Sequence, residues 1–414
     1  RMTCPARLML SLVVLLLAAA PALADDTPTT PTDSTPLFNG EDLDGWVFDV
    51  PDARTAARSI TQRNGVVRFT GQPVGALLTE QAYTEYVLSL QWRWPEEAGN
   101  SGVLIHASGS RVQGPWPKCL EPQLQAGDAG DFHGIGGFSY HANHLADAQS
   151  GGRAMNLTDN SEHELGEWNT MHVICEGDTV TVYVNGVMVN RCHDVEASSG
   201  RIGLQSEGVP VEFRDVTIHP LIVTPRKRIN LFDGESLAGW TSDLNDGNAL
   251  IDVFSVDNGI LKDAGRPAGV IRTIQAYRDY ELEVQWRWPS GGGNSGLLVH
   301  CSDPREIGPW PKSLEVQLGS GNAGDFWRIG VGVSVSDDQT TNGRRTINTT
   351  NNSERGLGSW NTMIVRCERD QITVHVNGQQ VNAGWDLEAN HGAICLQAEG
   401  TAVEFRRVQL RPLD

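Results

Sequence analysis

Apolar and polar positions alternate with a period of two along much of the chain. Tyr86-Val87-Leu88-Ser89-Leu90-Gln91-Trp92 and Tyr280-Glu281-Leu282-Glu283-Val284-Gln285-Trp286 both carry the pattern. It is the signature of a strand with one face turned to a core. Thr179 to Val184, Asn185-Gly186 and Val187 to Val189 read as a hairpin closed by an Asn-Gly turn. Ile372 to Val376, Asn377-Gly378 and Gln379 to Val381 repeat it. Turn residues recur at short intervals, and no segment offers a long amphipathic helical stripe. Many short strands predict an all-β fold, with two sheets packed as a sandwich or jelly roll.

The pattern is written twice. Leu37-Phe38-Asn39-Gly40 returns as Leu231-Phe232-Asp233-Gly234, an offset of 194 (231 − 37). Gln91 to Pro95, Gly99 to Gly102 and Gly114 to Lys118 return at the same offset. Trp168-Asn169-Thr170 and Val211-Glu212-Phe213-Arg214 return 192 residues later, as Trp360 to Thr362 and Val403 to Arg406. Solenoid repeats are far shorter, so this is a duplicated domain. The expected domains are 37–222 and 229–414, joined by a linker at 223–228 where Pro225 and three basic residues interrupt the pattern.

Ahead of the first copy, a short basic start between Arg1 and Arg7 precedes a run from Leu8 to Leu17 that is nearly all Leu and Val, followed by Ala22-Leu23-Ala24. This is the layout of a cleavable secretory leader over 1–24, too short in its apolar part to span a bilayer. Residues 25–36 form a Thr/Pro/Asp tether expected to be disordered. The expected location is therefore outside the cytoplasm, periplasmic or extracellular, with no membrane span in the mature chain. The formal charge is −19, and loss of Arg1 and Arg7 makes it −21. Such a surface repels phosphate backbones, which argues against nucleic acid as a partner. Of the six cysteines after the leader, only Cys175 and Cys367 occupy equivalent positions, so no duplicated disulfide framework is visible. Neither a CxxC nor a Cys/His spacing suggests a metal site, and no cofactor motif is present.

The ordered motifs resemble those of the 3-keto-disaccharide hydrolase domain family. They are Leu-Phe-Asn/Asp-Gly-x-x-Leu-x-Gly-Trp, Gly-Asn-Ser-Gly, Leu-Glu-x-Gln, Gly-x-Trp-Asn, Val-Asn-Gly, and Gly-x-Ile-x-Leu-Gln followed by Val-Glu-Phe-Arg. The first three begin at Leu37, Gly99 and Leu120 in one copy, and at Leu231, Gly293 and Leu314 in the other. The resemblance implies a concanavalin A-like jelly roll in each copy. It also implies cleavage of glycosides whose sugar is already a ketone at carbon 3. Many relatives carry Arg where this chain has His106 and His300, so substrate recognition is expected to differ.

Strand parity nominates the candidate chemistry. In Ser313 to Leu318, Glu315 and Gln317 share one face; Glu121 and Gln123 repeat them, and His106 and His300 end the neighbouring Asn-Ser-Gly strands. Glu121, His106 and Lys118, with Glu315, His300 and Lys312, are the expected catalytic groups. Glu121, Gln123 and His106 are expected to project into one concave site, with Glu315, Gln317 and His300 in the equivalent place. Trp116 and Trp310, between prolines on expected loops, suit stacking on a sugar ring. Asn100, Gln123 and Asp131, with Asn294, Gln317 and Asp325, are expected to meet hydroxyls. Each has a bland alternative: a solvated strand face, a Trp covering the sandwich end, an Asx turn at Asp131. His133, His141 and His144 make a His-rich stretch that the second copy lacks, with solvent-exposed histidines the favoured reading over a metal site. Neither copy has the Glu-x-Asp-x-x-Glu strand of laminarinase-type glycosidases, which argues against the two-carboxylate route. A 3-keto sugar offers elimination and hydration, needing one base and a donor for the enolate oxygen. The competing class is a tandem carbohydrate-binding protein without catalysis, its two copies raising avidity.

Overall fold

The computed structural model describes residues 34–51, 59–109, 111–142, 152–158, 161–244, 250–350 and 353–413. The expected leader and most of the tether lie outside these residues. The regular structure of the described residues is strand apart from one four-residue helix at Leu250–Val253, and it forms two sandwiches.

In the first domain one sheet runs Ile60–Arg63, Val66–Phe69, Val211–Pro220, Tyr86–Arg93, Asn169–Glu176, Thr179–Val184, Val187–His193 and His141–Ala142. We call it the back sheet. The other, the site sheet, runs Arg153–Ala154, Phe132–Ile135, Cys119–Pro122, Val103–Ala107, Ser199–Ser206, Gly75–Thr84 and Trp46–Asp49. The second domain repeats both sheets. One apolar cluster fills each sandwich, and Trp92 and Trp286, read from alternation as structural, are wholly buried in it.

Several shared motifs turn out to close the sandwich. The opening tryptophan donates back to the start of its own motif, Trp46 Nε1 to the Leu37 carbonyl at 2.6 Å and Trp240 Nε1 to that of Leu231 at 2.5 Å. Asn185 and Asn377 open the Asn-Gly turns with φ of 48° and 51°, a conformation Asn tolerates well. Their side chains accept from Thr170 and Thr362 N–H and donate to Asn169 and Asn361 Oδ1. The tether expectation needs one correction. Thr35 and Pro36 pair with Ile218 and Thr217, so order begins before Leu37 because the long strand Val211–Pro220 has a free flank there.

The domains also touch. Ile222–Val223, at the start of the expected linker, pairs in parallel with Ala276–Tyr277. The Asn-Gly turn of the first domain reaches the edge strand Trp240–Leu244, where Ser242 N–H donates to the Gly186 carbonyl at 2.7 Å. Val87, Ile174, Tyr183, Met188, Leu221 and Ile274 form an apolar cluster across the junction. Arg191 pairs with Asp303 at 2.6 Å, and Arg272 donates to Tyr183 Oη at 3.1 Å.

Candidate functional site

The site sheet's outer face carries the candidate groups Glu121 and Glu315. In the first domain the register sets His133, Glu121, Leu104, Gly203 and Leu78 side by side on five adjacent strands. The next row holds Gln123, Gly102, Gln205 and Ala76. In the second domain the rows are Trp327, Glu315, Leu298, Cys395 and Arg272, then Gln317, Gly296, Gln397 and Val270.

Glu121 lies over Gly102, and a Cβ there would overlap its carboxyl oxygen; at Gly296 a Cβ would stand 2.6 Å from Glu315 Oε1. The Gly-Asn-Ser-Gly motif follows from this. Its last glycine leaves room for the carboxyl, and its serine ties the strand down, Ser101 Oγ donating to the Gln205 carbonyl at 2.9 Å and Ser295 Oγ to that of Gln397 at 2.8 Å. Both Glu side chains are buried. Burial raises the Glu121 pKa to about 8, with Glu207 adding to the rise and a hydrogen bond with Gln205 opposing it. Glu315 is raised to about 8 in the same way, by burial and then by Glu399, with Arg344 and Gln397 opposing. Burial also raises Glu207 and Glu399. At neutral pH each copy therefore holds a protonated carboxylic acid beside a second, half-buried carboxyl group. Asn100 pairs through its backbone with Glu207, and its buried Oδ1 has no partner. Asn294 occupies the matching position, half-buried.

Opposite the Glu the copies differ. His133 is pushed below its ordinary pKa by burial, with Arg153 next, and is a neutral imidazole. Trp327 replaces it, with the Arg344 and Arg345 guanidinium groups 5.9 and 5.7 Å from its ring centre.

Several expected site residues stand elsewhere. His106 and His300 do not share the face of Glu121 and Glu315. Their φ values of 51° and 54°, at a register shift in the strand pairing, break the alternation. Each ring turns edge-on to a core tyrosine, Tyr86 at 6.3 Å and Tyr280 at 5.6 Å. Burial holds both near pKa 4, neutral, and His300 Nδ1 lies 2.7 Å from the Ala389 carbonyl. Lys118 alternates with Glu121 and is paired with Glu196 at 2.5 Å; Lys312 has the same parity relative to Glu315. Gln123 Oε1 accepts from the N–H groups of Leu124 and Gln125, and Gln317 Oε1 from those of Leu318 and Gly319, so both oxygens hold a turn. Asp131 and Asp325 are buried in ion pairs with Arg153 and Arg345, both at 2.5 Å, and accept from Asn156 and Asn348 N–H. They fasten loops and have no carboxylate oxygen left over.

Trp116 lies on a short strand paired with Arg111–Gln113 and packs over Ala76, Leu78, Leu104 and Ile135, covering the apolar end of the outer face. Trp310 does the same with Val270, Leu298 and Ile329. His141 stacks on His193 at the back-sheet edge, away from His133, and His144 lies outside the described residues. Among the described residues no three metal-ligating side chains cluster, no helix is long and apolar enough to cross a membrane, and six free cysteines are buried.

Parity at Glu121 alone missed Glu207, Glu399, Gln205 and Gln397. A signal was present: Gln205-x-Glu207 and Gln397-x-Glu399 repeat at an offset of 192 (397 − 205), on alternate positions of one strand and its continuation.

The chain belongs to the 3-keto-alpha-glucoside-1,2-lyase-like domain family, whose profile matches residues 33–219 and 227–411. That membership makes it a carbohydrate-active protein. Among solved structures it is similar to a putative glycosyl hydrolase from Parabacteroides distasonis, at 21% identity over 45% of this chain and 100% of that one, with a TM-score of 0.35. A carbohydrate-binding module from Bacillus subtilis matches at 14% identity over 41% of this chain and 94% of its own, with a TM-score of 0.31. No curated protein matches the chain.

Proposed function

We propose that the protein is exported and cleaves 3-keto-glycosides by elimination followed by hydration. The observation that carries this reading is the buried Glu over Gly102 and Gly296, with a pKa near 8 and a second carboxyl group beside it. A carboxylate with so high a pKa is a strong base for its type, and a base of that strength suits a carbon acid. The ketone at carbon 3 acidifies the carbon 2 proton. Glu121 in its ionised form takes that proton, and the electron pair moves onto the ketone oxygen as an enolate. The enolate then expels the group on carbon 1, which leaves with a proton, and a carbon 1–carbon 2 double bond remains. Water adds across this bond to give the free 3-keto sugar. A neutral His133 N–H in the first copy, or Arg344 in the second, is suited to meet the enolate oxygen. Lys118, expected from sequence to be a catalytic group, is held by Glu196.

A second reading applies to the second copy. Trp327 in place of His133 offers an aromatic ring where the first copy offers a proton donor, which favours binding over turnover there.

The test is incubation of the whole chain with a 3-keto-glucoside and its unoxidised parent in D2O. Elimination and hydration release the aglycone from the keto substrate alone and leave deuterium at carbon 2 of the product; direct hydrolysis leaves hydrogen there. Glu121→Gln is expected to lower turnover by about 10²–10⁴-fold, and Glu315→Gln by less. Unchanged turnover in the folded double variant removes the Glu assignment. Sugar binding with no cleavage by the native chain leaves the binding-protein reading in its place.

A further inference from the structure

A cavity of about 610 Å3 lies between the two domains. Its floor is the outer face of the first domain's back sheet. Register puts His172, Ser89 and Thr217 abreast on three adjacent strands, with Thr170 beside Gln91 one step along. Its roof is Ile229, Leu231, Ile274, Gln275 and Tyr277 of the second domain, and exposed Asp215 marks the mouth.

The floor is peculiar to the first copy. At the corresponding places the second copy has Glu283 in a network with Arg407, Arg411 and Gln409, which fills that surface with ion pairs. In the first copy Ser89, Thr217 and His219 stand where the second has Glu283, Gln409 and Arg411, and of these four places only Asp215, in the place of Arg407, is charged. His172 is half-buried and its buried Nδ1 has no partner; nor have the Gln275 Oε1 and His219 Nδ1 atoms. The other His219 nitrogen lies 3.0 Å from Thr217 Oγ1. Burial holds both imidazoles below their ordinary pKa.

These features select a ligand chemistry. Among the described residues no lysine or arginine lines the cavity, whereas Asp215 and Asp233 do, so an anion would lose water and meet carboxylates with no counter-charge. A purely apolar ligand would leave the histidine and glutamine atoms unsatisfied. A neutral ring rich in hydroxyls supplies both donors and acceptors to the floor, and its CH groups meet Ile229, Leu231, Ile274 and the Tyr277 ring. The volume falls in the range of small-molecule sites. We propose that the interdomain cavity is a second binding site, separate from either Glu-bearing face, for a neutral mono- or disaccharide.

The experiment titrates the whole chain with glucose, sucrose and trehalose, and with glucuronate as the charged comparator. It is run on the native protein and on the Glu121→Gln, Glu315→Gln double variant, by calorimetry and by NMR of the imidazole signals. At least one neutral sugar is expected to bind saturably to both proteins and to shift the His172 and His219 signals. Thr170→Trp, which fills the cavity, is expected to weaken that binding by about tenfold or more, about 1.4 kcal/mol, with its melting transition retained. The imidazole shifts in the native chain decide the matter even if the tryptophan variant does not fold. Three results overturn the proposal: no saturable binding of any neutral sugar, binding that leaves both imidazoles unmoved, or binding abolished by the double variant. Failure to cleave a 3-keto-glycoside bears on the Glu-bearing faces and leaves this result standing.

Discussion

Glu121 should make the first domain weaker as the solution becomes alkaline, and Glu121→Gln should cure this. In the unfolded chain the carboxyl group titrates near its ordinary value of 4.5; in the fold its pKa is about 8. The folded state therefore holds its proton more tightly, and stability must fall as pH rises through the window between those values. Each unit is worth about 1.4 kcal/mol, so the ionisation costs about 3 kcal/mol at pH 7 and at most about 5 kcal/mol above pH 8. The residue is almost wholly buried, so bulk water screens little of this. Gln keeps the shape and cannot ionise. Native chain and variant should melt together near pH 4.5, and the variant's first-domain transition should rise above the native one up to about pH 8 and then level off. Melting curves at half-unit steps, with Glu315→Gln as the matching control for the second domain, measure the divergence. A gap that does not change with pH would show that the carboxyl group is solvated in the fold, and the argument from burial would fall.

Three further outcomes follow. Gly102→Ala should displace the Glu121 carboxyl, because a Cβ at that position overlaps it, and should lower turnover of a 3-keto-glycoside by about 10²-fold with the fold kept by circular dichroism. Asp325→Ala removes the partner of Arg345 and the acceptor of Asn348 N–H; chemical denaturation should show a loss of about 3–5 kcal/mol in the second domain. His106→Phe swaps a neutral core ring for another against Tyr86, and should cost about 1–3 kcal/mol of stability with turnover near native, whereas a catalytic histidine would lose most of its activity.

Alternation and the doubled register made the fold class legible, since each depends on local spacing alone. The Asn185-Gly186 turn was readable for the same reason: its sequence and its backbone shape are one requirement. Glu121 could be picked out because parity assigns a face within a single strand. His106 shows where that logic stops. A single residue of positive φ reverses the parity after it, and no spacing in the sequence announces the reversal. Lys118, Asp131 and Gln123 show a different limit of sequence reading. Their partners Glu196, Arg153 and the Leu124 N–H group decide their availability, and two of these arrive from distant strands and loops. Most residues that made the family recognisable, Trp46 and Asn185 among them, prove to close turns and strands. A motif built on such residues says more about the scaffold than about the reaction.

The docking of the Gly186 turn on Ser242 has a consequence for how the chain can be built and divided. A sheet's outermost strand offers unpaired N–H and C=O groups, and an uncovered one invites another chain to add itself. In the second domain that vulnerable margin, Trp240–Leu244, is met by a part of the molecule made earlier on the ribosome. Domains generally form in the order of synthesis, so the guard is in place before the margin it protects exists. Among the described residues the matching strand of the first domain, Trp46–Asp49, has no such guard and presents Val47 to solvent. The tandem order is thus not arbitrary: a fragment beginning near residue 229 would be born with a bare β-edge, prone to self-association, whereas a fragment ending near residue 222 would keep its edges and bare instead the apolar side chains Val87, Ile174, Tyr183 and Met188.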